Sequence, residues 1–252
     1  MANFDQAYSA YYDLLYADKN YDAEADYIHN LISQYGRKES RTLLDIGCGT
    51  GRHAAALSER GYRICGIDRS AEMIGKAELL SAGNDRLSFE VASADSFSLN
   101  KKFDVVTSLF HVMSYLISND MLKNCFRNVY DHLEKGGVFI FDFWYGPAVY
   151  HQRCENRIKV LENEKSRVWR FAEPLEDTSR NMITVKYTMV CQDKKDGKAL
   201  SFEEHHPMRY FFLPELEFML SECGFKELRF EEFLTGNTPS SDTWGVCGVA
   251  LK

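Results

Sequence analysis

The sequence has no long apolar run free of charge, so no segment of it reads as a membrane-spanning helix. Its first residues, MANFDQAYSAYYDLLYADK, lack a basic region followed by an apolar core, which reads against a secretory signal. It has no Cys-x-x-Cys pair. The seven cysteines, Cys48, Cys65, Cys125, Cys154, Cys191, Cys223 and Cys247, are odd in number and widely spaced, which predicts reduced thiols in the cytoplasm, mostly as small core residues. Positive charge is not in excess. Thirty Lys and Arg face 37 Asp and Glu, a net charge of −7, which argues against a general DNA or RNA binder but leaves a nucleotide substrate open. The adjacent His205 and His206 would face opposite ways on a strand, so they predict no metal site. Internal repeats and low-complexity linkers are also missing. What the sequence does have is rings: 14 Tyr and 17 Phe, whose placement needs an account. At 252 residues, with 45% hydrophobic and 27% charged residues, it has the composition of a folded protein, either one large domain or one domain with a smaller insertion.

The centre alternates strand and helix signals. Apolar runs at residues 41–46, 62–68, 87–92, 103–110 and 137–143 read as five strands. Helical patterns lie between them, from His53 to Glu59, from a Ser70 cap onward, and from Asn119 to Leu133. This βαβ rhythm predicts a mainly parallel sheet with helices on both faces. After Gly146-Pro147 the pattern changes. Residues 157–171 look extended, residues 181–190 alternate with Ile183, Val185, Tyr187 and Met189 on one face, and residues 200–212 return after a turn at Asp193–Gly197. This reads as a small antiparallel insertion. Pro214 then starts a helix ended by Gly224, and residues 225–233 and 243–251 read as a closing antiparallel hairpin. The expected divisions are an N-terminal helical lid over residues 1–40, an α/β core over 41–146, the insertion over 147–212, and completion of the core sheet over 213–252.

The first strand runs into Asp45-Ile-Gly47-Cys48-Gly49-Thr-Gly51. Glycines there allow a tight turn and close approach of a ligand, and the following helix points free amides at it. The spacing is Gly-x-Gly-x-Gly, not the dinucleotide Gly-x-Gly-x-x-Gly. Asp68, ending the second strand, is placed to hold a ribose diol. Asp95 follows the third strand beside Ser93 and Ser96, and its side chain is placed for an adenine amino group. All three features fall at the carboxyl edge of the sheet, where such folds bind ligands.

These residues resemble the class I S-adenosylmethionine-dependent methyltransferases. Leu43-Leu-Asp-Ile-Gly-Cys-Gly-Thr-Gly51 looks like their glycine-rich first motif, Asp68 like the acid that grips the ribose, and Asp95 like the residue near adenine. The resemblance implies a Rossmann-like fold, a seven-stranded sheet with an antiparallel last strand, and S-adenosyl-L-methionine as cofactor. It places Tyr21, Asp45, Gly47, Cys48, Gly49, Gly51, Asp68, Arg69, Met73, Asp95, Ser96 and Leu109 about that cofactor. The flanks are similar to bacterial methyltransferases of nucleotide-linked amino sugars, on Tyr12-Asp13-Leu-Leu-Tyr16, residues 21–27, residues 108–116 and the insertion. In those enzymes the tyrosine segment and insertion cover the cofactor, and dimers are usual. Enzymes acting on glycine-like amines or sugar hydroxyls share the outline.

Methyl transfer by direct displacement needs a lone pair aligned opposite the departing sulfur, and a dry site. An amine acceptor must be neutral, whereas a hydroxyl needs a base. His111 directly follows the fourth strand and is the first candidate as base or substrate orienter, with a structural histidine as the competing reading. Tyr12 is the second, shaping the methyl site. Tyr8, Tyr11 and Tyr16 read as lid residues. Tyr21 and Arg52 are candidates for the methionine carboxylate. Arg209 reads as a diphosphate contact or a salt bridge, and Tyr210 as a neighbour on the substrate side. Trp144 and Tyr145 read as stacking partners for a sugar or base, or as packing. An Asn-Pro-Pro-Tyr motif, expected of a nucleic-acid methyltransferase, is missing after the fourth strand, where Leu109-Phe-His-Val stands.

Overall fold

A computed structural model describes the backbone of residues 6–252 and the side chains from residue 11 onward. The chain opens with helices α1 (Gln6–Leu15) and α2 (Tyr21–Tyr35). The Asn20 side chain accepts from the Ala23 amide at 3.0 Å, capping α2. Then follow β1 (Thr42–Ile46), α3 (Arg52–Glu59), β2 (Arg63–Asp68), α4 (Ala71–Leu80), β3 (Leu87–Val91) and β4 (Phe103–Ser108). Ser70 caps α4 by accepting from the Met73 amide. A short 3-10 turn, Val112–Tyr115, leads to α5 (Asn119–His132) and the long β5 (Leu133–Trp144). Helix α6 (Gly146–Gln152) precedes four strands, β6 (Arg157–Glu162), β7 (Ser166–Asp177), β8 (Met182–Asp193) and β9 (Ala199–Arg209). The chain ends with α7 (Leu213–Glu222), β10 (Lys226–Glu232) and β11 (Gly245–Leu251).

The larger sheet has the order β10-β11-β5-β4-β1-β2-β3. β1, β2, β3, β4 and β5 pair in parallel, and β11 runs antiparallel to both neighbours. Strand β4 is buried along its whole length, which is why its apolar run does not alternate. One face carries a core with α5 and α7 in which Phe126, Phe139, Phe141, Phe143, Phe211 and Phe225 meet. Phe139 and Phe141 stack at 4.6 Å between centroids. The other face packs Ile28, Leu31 and Ile32 of α2 and Leu57 of α3 against Leu43, Val105 and Val249. Much of the phenylalanine excess is therefore core.

The smaller sheet, β6-β7-β8-β9, is wholly antiparallel. Its inner face packs Val168, Met189 and Cys191 against Leu15, Tyr11, Tyr12 and Tyr16 of the first helix segment. This docking places tyrosines of α1 between the two sheets.

Two local readings gain detail in the structure and a third, the end of β9, differs from it. The extended stretch within residues 157–171 is β6 and the start of β7. Asn163 turns the chain there by accepting from the Lys165 and Ser166 amides. Gly146-Pro147, after which the pattern changes, opens helix α6, with proline in its first turn, where a missing N–H costs nothing. Strand β9 stops at Arg209. The Tyr210 amide turns to the Asn181 carbonyl and the Phe211 amide to the Trp144 carbonyl, so the chain leaves the small sheet to bridge toward β5.

Candidate active site

The carboxyl ends of β1, β2 and β4 open onto a cavity of about 360 Å³ between the two sheets. Gly47 and Gly49 line its floor with φ of 70° and 55°. A Cβ on Gly47 would strike the Val112 methyl groups at 2.5 Å, so the 3-10 turn seats against this glycine. A Cβ on Gly49 would meet nothing within 4 Å. That open space, at a turn feeding the N-terminus of α3, is room for a ligand to approach the backbone. Asp68 faces the same space. Its carboxylate accepts from the Gly49 amide at 3.0 Å and from the Ser70 amide at 2.9 Å. Burial raises its pKa, and those two amides offset part of the rise. A vicinal diol would find an oriented acceptor here. Arg69, Met73, Ala92, Ser93 and Ala94 continue this wall, and Cys48 and Leu109 complete the floor.

At the start of α3, Arg52 and His53 reach the cavity beside Tyr21. Arg52 pairs with Asp13 at 3.2 Å and lies over the Tyr21 ring. The His53 Nε2 meets Glu24 at 2.7 Å, and Lys19 pairs with the same carboxylate. Burial would raise the Glu24 pKa, but these two partners hold it below its ordinary value. A guanidinium at a helix N-terminus suits the carboxylate of an amino acid.

Opposite lie the rings. Tyr12 of α1, Tyr16 just after it, Tyr115 of the 3-10 turn, and Arg170, Tyr187 and Met208 of the small sheet close the cavity. Burial pushes the Tyr12 and Tyr115 phenols well above their usual range and Tyr187 to about 12, so all three present neutral hydroxyls at physiological pH.

His111 enters at the end of β4. Both Phe110 and His111 hold left-handed backbones, with φ of 69° and 63°. Asp142, buried on β5, accepts the His111 amide at 2.8 Å. The His111 Nδ1 lies 2.9 Å from the other Asp142 oxygen, an ion-pair distance too bent for a well-formed hydrogen bond. The carboxylate thus holds the ring on its inner side and leaves its other edge to the cavity. Trp144 stands 6.3 Å from the His111 ring, and Trp244 packs on Trp144 at 5.5 Å.

Of the residues singled out in the sequence, Tyr12, Tyr21, Gly47, Cys48, Gly49, Asp68, Arg69, Met73, Leu109, His111 and Trp144 line this one cavity. Others do not. Asp45 is buried beneath the turn, where it accepts from Thr107 at 2.8 Å. Gly51 faces Ala77 and Phe89 instead of the cavity. Asp95 turns to Ser93, which donates to it at 2.6 Å, and Ser96 is exposed, so Ser93 and its alanine neighbours form the wall there. Tyr145 packs into the core beside β5. Of the two readings of Arg209 the diphosphate contact is corrected and the salt bridge stands: it is locked to Glu215 at 3.0 Å and Asn119 at 2.8 Å, buried and not on the surface, away from the cavity. Tyr210 is a correction: it is fully buried against Tyr150 and Phe212. The side chain of Tyr8 lies outside the described residues.

Sequence reasoning did not single out Asp142, Tyr115, Arg170, Tyr187 or Met208 as site residues. The signal for the insertion was parity. Glu204, His206 and Met208 share one face of β9 and are buried, while Glu203 and His205 are exposed. The alternation of β8 had already put Tyr187 with the buried set.

The comparisons with known proteins agree with this fold. Residues 43–137 match the family model described as "Methyltransferase domain". Over 251 residues the chain is 26% identical to a putative methyltransferase of Geobacillus sp., covering 98% of this chain and 99% of that one. It is 26% identical to the dTDP-3-amino-3,4,6-trideoxy-alpha-D-glucopyranose N,N-dimethyltransferase of Streptomyces venezuelae, over 85% of this chain and 88% of the relative. Among solved structures, Streptomyces venezuelae DesVI superposes with a TM-score of 0.80 at 23% identity, covering 98% and 99% of the two chains. Residues 43–137 thus carry a methyltransferase domain, and the protein is an S-adenosylmethionine-dependent methyltransferase.

Proposed function

We propose that the protein moves a methyl group from S-adenosylmethionine to the amine of a nucleotide-linked amino sugar, and that it does so as a homodimer. The observation that carries the reaction is His111, held by Asp142 at the mouth of β4, opposite the glycine turn and Asp68 across one cavity. The acceptor class is supported by relatives whose names specify dTDP-amino sugars, at 26% to 29% identity.

The residues present fit the cofactor. The space above Gly49 admits it, Asp68 offers its carboxylate to the ribose diol, and Arg52 with Tyr21 suits the amino-acid carboxylate. When bound, S-adenosylmethionine supplies an electrophilic methyl on a sulfonium. The protein then has three tasks. The tyrosine wall excludes water and shapes the space around the acceptor. Trp144 offers a ring face on which a sugar packs. In the tautomer with Nδ1–H toward Asp142, His111 turns its Nε2 lone pair to the cavity, where it accepts a hydrogen bond from the acceptor N–H and fixes the nitrogen's direction.

The test is turnover on a panel of dTDP-linked sugars with paired amino and hydroxy forms, read by mass spectrometry. Methylation of amino forms alone is expected. Methylation of hydroxy forms would assign O-transfer instead. Inactivity on the whole panel, with S-adenosylhomocysteine binding intact by calorimetry, would reject this acceptor class.

A further inference from the structure

The two faces of the cavity are joined by a buried polar chain that the reaction described so far leaves unused. The Tyr115 hydroxyl lies 2.9 Å from the His206 Nδ1, and the His206 Nε2 lies 2.8 Å from a Glu204 oxygen. Glu204 and His206 are 5% and 1% exposed. A carboxylate and an imidazole taken this far out of water need a compensating role or cost stability. Tyr115 belongs to the cavity wall. Its neighbours among the titratable and charged groups are Tyr12 of α1, Tyr16 just after that helix, Arg69 after β2, Tyr187 of β8 and Glu204 of β9. Arg170 of β7 lies 4.9 Å over the Tyr187 ring, and the Tyr187 ring packs 5.0 Å from His206.

We propose that Tyr115, positioned by His206 and Glu204, takes up the proton that an ammonium acceptor must lose before methyl transfer. This rests on the amine reading above. In the neutral tautomer that donates Nε2–H to Glu204, the His206 Nδ1 accepts the Tyr115 O–H. The acceptor ammonium gives its proton to the Tyr115 oxygen as the phenolic proton passes to Nδ1. The products are a neutral amine, a neutral phenol and an imidazolium facing the Glu204 carboxylate. No other reactant is needed. Tyr115 is then the catalytic residue, while His206 and Glu204 are positioning residues acting through it.

The experiment measures initial rates from pH 6 to 9.5 on a dTDP-linked amino sugar, at saturating S-adenosylmethionine. The proteins are the wild type, Tyr115→Phe, His206→Gln and Glu204→Gln. Calorimetry with S-adenosylhomocysteine checks that each variant is folded and binds cofactor. At pH 7 the Tyr115 and His206 variants should lose about tenfold or more in kcat. The deficit should close as pH rises past the ammonium pKa of the acceptor, because the amine then arrives neutral. A deficit equal at every pH marks a purely structural contact and overturns the relay, as does full activity at pH 7. Inactivity of the wild type itself overturns the amine reading and the relay with it, so the two failures are told apart. In the wild type, the ¹⁵N resonances of His206 should show Nε2 protonated in the cofactor-product complex. A neutral His206 ring with its proton on Nδ1 and none on Nε2 would overturn the relay whether or not the variants fold.

Discussion

His111 sits where the backbone is strained over two residues in a row. Two consecutive non-glycine residues in left-handed conformation cost on the order of 1–3 kcal/mol each, and such strain persists only where the surroundings impose it. Here the Asp142 carboxylate imposes it, holding the His111 amide and facing its ring. If the ring orients the acceptor, His111→Ala lowers kcat roughly 100-fold while calorimetry finds cofactor affinity unchanged. Near-normal turnover would leave the histidine a structural part only. Asp45 makes a different prediction. Burial lifts its pKa from 3.8 to about 6. A carboxyl whose folded pKa is raised costs nothing while it is protonated in both states. The cost appears as pH rises from its unfolded to its folded value, and it is complete above about pH 6. The linked loss is on the order of 3 kcal/mol, at about 1.4 kcal/mol per unit. Asp45→Asn should therefore flatten stability between pH 4 and 6, measured by urea unfolding across that range. An unaltered pH dependence would place the cost elsewhere.

Helix α1 and the small sheet depend on each other. Leu15 is fully buried against Val168, Met189 and Cys191, and its helix brings Tyr12 and Tyr16 to the cavity and Asp13 to Arg52. Leu15→Asp puts a charge into that contact and should undock the helix. Its expected signature is a kcat/KM for cofactor reduced at least about tenfold, with a melting temperature changed by only a few degrees, since the seven-stranded core does not rely on α1. A large loss of melting temperature would show that α1 belongs to the cooperative core. The contrast between core and lid also shows what the sequence made legible. The strand-turn-helix at Gly47 to Gly51 is local: its glycines, its acid and its helix start lie within a few residues, so reading order equals spatial order. The small sheet is not local. Its site depends on which face of β9 points inward, and a strand shows that only through alternation against its neighbours. Arg209, a cation near the strand's end, reads equally as an anion contact or a salt bridge. In space it ends the strand and is held by Glu215 of α7 and Asn119 of α5. His111 was legible from its place after β4, but Asp142 behind it lies 31 residues away on β5 and carries no signal in its own neighbourhood.

At the scale of the whole molecule, the small sheet has one face filled by α1 and another with nothing packed on it among the described residues. Cross-strand register places Ile158, Phe171 and Thr188 in one row and Val160, Trp169 and Val190 in the next, all on that outer face. Ile158 is 66% and Val160 48% exposed. Charged residues ring the patch: Glu162 and Arg167 at one end, Glu173, Lys186 and Glu203 at the other. An apolar centre with a polar rim is the anatomy of a protein interface, and in the homodimer proposed above a second copy of the chain would supply the matching surface by two-fold symmetry. Pairing there would also stiffen the sheet that carries Arg170, Tyr187 and Met208 at the cavity, so assembly and catalysis would be linked through one element. Light scattering after size exclusion should therefore give twice the chain mass of 29.0 kDa. The double substitution Ile158→Asp, Val160→Asp should give the single mass, with circular dichroism unchanged because both side chains are already exposed. Its kcat should fall along with its mass. A wild type that elutes as a monomer at micromolar concentration would end the dimer reading. A monomeric variant with full kcat would show instead that β7 and β8 hold their side of the cavity without a partner.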